Sequence, residues 1–203
     1  MYKKNYFSGF FIKMNLSRRV FLTIIISKKI YYNILFSTFI MIVIRPAQEG
    51  DLASILEIYN QGIQDRVATL EEDTKDMEYM KQWFTSHSTR YSVLVAGIDP
   101  GEIGGWASLN PYSHRCAYSG VADLSVYIRR EFRGMGLGSL LLSDLERVAK
   151  INGFHKIVLM TFPFILSGQR LYSKMGYRCV GIFKNQGKLD GRFIDVMAME
   201  KLL

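Results

Sequence analysis

From residue 41 to the end of the 203-residue chain, apolar positions follow two alternating periods, 2 for strands and 3.6 for helices. Residues 42–46 read as a short strand. Behind Asp51, a suitable N-cap, Leu52, Ile55, Leu56, Ile58 and Tyr59 fall on one face of a helix. The spacing predicts a second helix over 76–84. Strands over 91–98 and 103–109 follow, joined by Asp99-Pro100-Gly101, where proline fixes φ and glycine permits a positive φ. Residues 122–128 alternate: Asp123, Ser125 and Tyr127 share one face, and Ala122, Leu124, Val126 and Ile128 the other. A helix over 139–152 turns Leu141, Leu142, Leu145, Val148 and Ala149 inward, gains a Glu146/Lys150 pair at i,i+4 and stops at Gly153. The nearly continuous apolar run 157–162 predicts a central strand covered on both faces. Gly168, Leu171, Tyr172 and Met175 mark a short helix ended by Gly176, and strands over 177–184 and 193–201 complete the sheet. No repeat or Pro/Gly-rich linker interrupts the pattern, which predicts one α/β domain on a mixed sheet.

The first 40 residues differ. The apolar block 20–26 is short, runs into Ser27-Lys28-Lys29 and lacks the small-residue cleavage site of a secretory signal. The run 30–44 gives 15 residues before Arg45, where a membrane span needs about 20, and it contains Asn33, Ser37 and Thr38. No stable membrane span is expected. Phe, Tyr, Ile, Lys and Asn, the residues of AT-rich codons, fill 25 of the 40 positions. The segment is therefore expected to be upstream sequence from a misplaced start, with Met41 the native beginning. A basic, apolar membrane-surface anchor and an ordered extension are the alternatives.

Composition narrows the classes of function. A hydrophobic share of 49% excludes disorder, and two cysteines, Cys116 and Cys179, cannot staple a chain of this size, so a reducing, cytoplasmic setting is expected. The net charge of +8 suggests a polyanionic partner, yet seven of those charges come from Lys3, Lys4, Lys13, Arg18, Arg19, Lys28 and Lys29, in a segment without acids. The body is almost neutral, and nucleic acid is not an expected partner. His87 and His155 show no metal-ligand spacing, and no metal is expected.

Between the strand over 122–128 and the next helix lies Arg133-Gly134-Met135-Gly136-Leu137-Gly138-Ser139. Glycines there let successive N–H groups point outward, and the helix adds its positive end, so the turn suits phosphate oxygens. A Walker A loop is excluded because no Lys-Ser/Thr pair follows, and a G-x-G-x-x-G fingerprint fails at Ser139. The remaining pattern, Arg-x-x-Gly-x-Gly between strand and helix, resembles the pyrophosphate signature of the GCN5-related N-acetyltransferase superfamily. The stretches 44–63, 120–142, 156–164 and 171–203 are similar to its phosphinothricin and arsinothricin N-acetyltransferase branch. The resemblance covers residues 42–203.

It implies the acyl-CoA N-acyltransferase fold, in which two parallel strands splay and the pantetheine of acetyl-CoA fills the gap. Carried over, Val126, Tyr127 and Ile128 offer backbone groups to the pantetheine and thioester, and residues 133–139 cradle the pyrophosphate. Asp123 stands where the branch has a glutamate and is the expected base; Tyr172 is the expected acid for the leaving thiolate. Ile165 replaces a usual pantetheine-binding asparagine, with Ser167 nearby. An acceptor with a second anionic head needs guanidinium or imidazole partners, for which Arg66, Arg90, His114 and Arg115 are candidates. A lone Cys116 beside them is read as inert. The branch pairs as homodimers, so a homodimer is expected. The leading expectation is acetylation of a small amino-acid-like toxin; a polyamine or protein N-terminus as acceptor, or a non-catalytic CoA-binding module, are the alternatives.

Overall fold

The computed structural model describes residues 19–24, 32–37, 41–87, 89–98 and 101–203. Strands Arg19–Ile24 (β1) and Tyr32–Ser37 (β2) pair antiparallel as a separate two-stranded sheet. The rest of residues 1–40, and with it most of the expectation about that segment, lies outside the described residues, as do Asp99 and Pro100 of the expected turn.

Seven strands form the main sheet: β3 (Ile42–Pro46), β4 (Val93–Ile98), β5 (Glu102–Pro111), β6 (Val121–Ile128), β7 (Lys156–Thr161), β8 (Arg178–Leu189) and β9 (Arg192–Leu202). Their order is β3-β4-β5-β6-β7-β9-β8, and every pairing is antiparallel except that of β6 with β7. The helices are α1 (Leu52–Gln64), α2 (Met77–Ser86), α3 (Leu137–Ile151) and α4 (Leu166–Lys174). A parallel pair needs a crossover, and α3 supplies it. The sheet is mixed and the fold is that expected. Among the described residues, no helix is long and apolar enough to cross a membrane.

Strand alternation divides the interior. Leu94, Ala96, Ala107, Leu109, Ala122 and Leu124 meet Leu141, Leu142, Leu145 and Ala149 of α3 on one face, with Ile157, Leu159, Tyr172 and Met199. On the other face Val95, Ile103 and Trp106 meet Leu52, Ile55 and Ile58 of α1 and Met80 of α2. Asp123, Ser125 and Tyr127 lie on this second side, since Ala122 and Leu124 belong to the first.

Several local expectations are corrected. Asp51 does not cap α1: it has helical backbone at the end of a short turn, Glu49–Asp51, and its carboxylate accepts from Arg45 at 2.7 and 2.8 Å and from the Gln48 N–H at 2.8 Å. Asp76 does cap α2, accepting from the Tyr79 N–H. Glu146 pairs with Lys201 of β9 at 2.6 Å rather than with Lys150. Met160, expected to be covered, is 47% exposed because β7 loses its β6 neighbour there. The final hairpin extends to Leu189 and Arg192, closed by Asp190 and Gly191 with φ +48 and +77. That is the Asp-Gly turn whose twist suits paired strands.

Leu145 is fully buried between α3 and the sheet. Leu145→Ala is expected to lower the unfolding free energy by about 3 kcal/mol, read as a lower urea midpoint at unchanged slope.

Candidate active site

Strands β6 and β7 stay in register over three pairs only: Val121 with Lys156, Ala122 with Ile157, and Asp123 with Val158. Beyond Asp123, β6 remains with β5 as far as Ile128, and β7 remains with β9 as far as Thr161. Each strand follows its outer neighbour, so a gap opens between them. It is the floor of a cleft of about 900 Å³ that Asp123, Val126, Ile128, Gly134, Gly138, Thr161 and Tyr172 help to line.

The free edge of β6 is directional. The Arg129 N–H bonds the Gly104 carbonyl on β5 at 2.9 Å, and the Tyr127 carbonyl lies against Gly105 of the same strand. Alternation therefore sends the backbone groups of Val126 and Ile128 into the gap. Tyr127, expected to offer backbone groups there, is corrected: its ring lines the cleft instead, stacked on Trp106 with centroids 4.6 Å apart.

At the wide end of the cleft the chain turns into α3. Gly134 and Gly136 have φ +79 and +90, conformations that side chains resist, and a Cβ on either would meet nothing within 4 Å. Among the described residues, no backbone carbonyl accepts from the N–H groups of Gly134, Gly136, Leu137 or Gly138. Together with the positive end of α3, these donors fit a pyrophosphate. Ser139 also lines the cleft. Met135 and Leu137 turn their side chains to the core. Gly138 departs from expectation: a Cβ there would stand 2.8 Å from Leu171 Cδ2, so this glycine also lets the first turn of α3 approach α4.

Arg133 lines the cleft while braced by Asp65 at the end of α1, 2.7 Å from Nη1, and by the Ile128 carbonyl, 3.1 Å from Nε. Arg130 and Arg133 together hold the Asp65 carboxyl below its ordinary range. Two cations on the same wall are not among the expected site residues, Arg170 and Lys174, exposed one turn apart on α4. Their i,i+4 spacing on the helix after the Phe162-Pro163-Phe164 run is the signal that marks them. Ile165 and Ser167 also line the cleft.

Asp123 sits where the strands part, half-buried, with its carboxyl pushed up to about 6 by burial against the opposing pull of the Asn110 amide and the Leu124 N–H. Tyr172, buried on α4, faces the same space; burial, and then the charge of Asp123, push its phenol up to about 12. An acid that ionises just below neutrality and a phenol that keeps its proton thus share one cavity.

The expected acceptor-binding arginines do not come together. Arg66, with φ +56, forms a two-bonded ion pair with Asp190 at 2.9 and 3.0 Å and donates to the Ile63 and Glu72 carbonyls. It ties the loop after α1 to the β8–β9 turn, and its neighbours Val67 to Leu70 line the cleft in its place. Arg90 stacks on Phe154 at 4.6 Å and donates to the Ser119 carbonyl, beside Asn152 at the far end of α3 from the glycine turn. His114, Arg115 and Cys116 are exposed on the loop before β6 and do not line the cleft.

A family model described as an acetyltransferase (GNAT) domain matches residues 44–198. The L-methionine sulfoximine/L-methionine sulfone acetyltransferase of Pseudomonas aeruginosa is 31% identical, over 77% of this chain and 92% of its own. The phosphinothricin acetyltransferase of Sinorhizobium meliloti, solved in complex with acetyl-CoA, is 30% identical with a TM-score of 0.76, covering 80% of this chain and 88% of its own. The ribosomal-protein-alanine N-acetyltransferase of Brucella melitensis, also a solved structure, is 30% identical with a TM-score of 0.76, covering 79% and 99%.

Replacing Arg170 and Lys174 together by alanine is expected to weaken CoA binding roughly five- to tenfold in low-salt calorimetry, with the difference shrinking at high salt. Gly138→Val, in contrast, is expected to lower CoA affinity and Tm together, because the new side chain displaces Leu171.

Proposed function

The chain belongs to the GNAT acetyltransferase family and is an N-acetyltransferase, and from that premise we propose that it acetylates the amino group of a small amino-acid-like toxin of the phosphinothricin or arsinothricin type. Asp123 is the base and Tyr172 the acid. The observation that carries this reading is the Asp123 carboxyl, desolvated at the parting of β6 and β7 and sharing its cavity with Tyr172 and the glycine turn.

Acetyl-CoA, when bound, supplies the acetyl thioester. Gly134, Gly136, Leu137 and Gly138 would hold its pyrophosphate through N–H groups, and Val126, with the N–H of Ile128 whose carbonyl already accepts from Arg133, would meet its pantetheine as a neighbouring strand does. Asp123 takes the proton that keeps the amine from attacking. Tyr172 gives a proton to the departing sulfur. The loop from Val67 to Leu70 closes the acceptor side, held by the Arg66–Asp190 pair. The P. aeruginosa and S. meliloti relatives, by name, act on acceptors of the proposed class. The B. melitensis relative favours a second reading, a protein N-terminus. Acetyl-CoA-dependent thiol release with phosphinothricin and with an alanine-initiated peptide separates the two.

We also propose that residues 41–203 form the catalytic unit and pair as a homodimer. The edge strand β8 supports pairing, since Val180, Ile182 and Phe183 are 55%, 42% and 48% exposed along a strand that, among the described residues, has no outer neighbour. A monomeric mass at assay concentration contradicts the dimer.

Asp123→Asn is expected to lower kcat/KM by about 10² to 10⁴ near pH 7.5 and to abolish the rise of kcat/KM with pH centred near 6, leaving acetyl-CoA affinity within about twofold. Turnover at the wild-type rate removes Asp123 from the mechanism. Stability carries a second signature. The folded-state pKa of about 6 lies above the unfolded value, so the contribution of Asp123 to stability is full below the unfolded pKa and is lost as pH rises through 6. The Asn variant should therefore be the more stable protein at pH 8, by about 1–3 kcal/mol, and match wild type below pH 4.

A further inference from the structure

After α1 the chain forms a short wall of the cleft: Val67, Ala68, Thr69 and Leu70 all line it, on the sheet face that α1 covers and that carries Asp123. Glycines seat this wall at both ends. A Cβ on Gly62 of α1 would stand 3.2 Å from both the Ala68 methyl and the Tyr127 ring, and a Cβ on Gly187 of β8 would collide with Leu70 Cδ1. Each missing side chain lets the wall rest directly on backbone.

Polar bonds then fasten the wall to the β8–β9 tip. Arg66, the residue before the wall, donates to the Asp190 carboxylate from Nε at 3.0 Å and Nη2 at 2.9 Å, and from Nη1 to the Glu72 carbonyl at 2.8 Å. The Asp190 N–H donates to the Glu72 carboxylate at 2.7 Å. Residues 66 and 72 bracket the wall, so one tip residue holds both of its ends. An exposed ion pair alone contributes little, but this one is two-bonded, shares Glu72 on both sides and adjoins the buried Leu189. Gly187, Leu189 and Asp190 do not themselves line the cleft. Whatever they do for a ligand there, they do through the wall.

We propose that Gly187 and Asp190 are positioning residues of the acceptor site: from outside the cleft they set where Val67 to Leu70 stand, and so which acceptors fit. The inference rests on the reading of this side of the cleft as the acceptor side. Val67, Ala68 and Leu70 are apolar, so the wall selects the size and shape of the acceptor's body rather than its charge. The glycine turn is fastened separately, through Arg130 and Arg133 to Asp65. A change at the tip therefore reaches the wall without reaching the donor end.

The test uses the full chain as wild type, Asp190→Asn, Gly187→Ala, Leu70→Ala and the Gly187→Ala/Leu70→Ala double variant. Asp190→Asn keeps the turn, since Asn-Gly serves it as well as Asp-Gly, but sets an NH2 group against the guanidinium. Thiol release from acetyl-CoA is measured with phosphinothricin and with an alanine-initiated peptide, CoA affinity by calorimetry, and amide hydrogen exchange over 66–72 and 133–139. Asp190→Asn and Gly187→Ala are each expected to raise the acceptor KM about three- to tenfold, with kcat and CoA affinity within about twofold. In the Leu70→Ala background Gly187→Ala should change KM no further, because the side chain it displaces is gone. Exchange over 66–72 should quicken about tenfold in Asp190→Asn and stay unchanged over 133–139. Additive KM effects, an equal loss of CoA affinity, or unchanged exchange over 66–72 each overturns the proposal. Should Gly187→Ala fail to fold, Asp190→Asn decides. If wild type acetylates neither probe, the proposed acceptors fall, and the exchange arm, which needs no acceptor, still decides whether the tip holds the wall.

Discussion

The divergence of β6 and β7 after the Asp123–Val158 pair is the constraint on which the rest of the site depends. A parallel pair that ended normally would satisfy its own backbone groups and leave no room for a ligand. Here β6 is bound to β5 from Ala122 to Ile128 and β7 to β9 from Lys156 to Thr161, so neither strand can close the gap without breaking its outer ladder. The open edge is maintained by the stability of the whole sheet, at the cost of exposing Met160 and of leaving inward-facing backbone groups for a ligand to satisfy. The glycine turn extends the same logic, because the N–H groups of Gly134, Gly136 and Leu137 point out at the start of α3 where the strand edge ends.

The same geometry sets two opposite electrostatic demands a few residues apart. The turn, with Arg133, Arg170 and Lys174 around it, is built for anionic phosphate and stays open to water. Asp123 lies ten residues before Arg133, inside the sheet where desolvation opposes its charge. In the proposed role of base that burial has a use: a fully solvated aspartate would be too weak a base, and an unsupported buried one would keep its proton. Asn110, directly across β5, supplies the partial compensation that keeps its midpoint below neutrality.

How much of this is legible in the sequence follows from which features are local. The alternation over 122–128 identifies the face of Asp123, and the spacing of glycines after Arg133 locates the phosphate turn, because both are read within a few residues. The Asp190-Gly191 turn is equally local, yet an expected strand ending at 184 stops short of it and leaves the tip that Arg66 grips unplaced. Cross-strand relations are not legible. Nothing near Asn110 in the chain says that it lies opposite Asp123, or that His87 reaches it, and nothing near Arg66 says that Asp190, 124 positions later, takes its charge. Proximity to strand ends makes loop cations look like acceptor ligands, and tertiary partners take two of them, Arg66 and Arg90.

Gly138 shows how the two halves of the cleft are tied. It belongs to the phosphate turn by sequence, yet its missing side chain is what admits Leu171, and the next residue along α4 is Tyr172. The proposed acid, Tyr172, is therefore carried by the helix that rests on the glycine turn, with Arg170 and Lys174 flanking it on the same helix. In the proposed reading, the phosphate-binding turn and the acid Tyr172 are joined through one close approach, the first turn of α3 against Leu171 of α4.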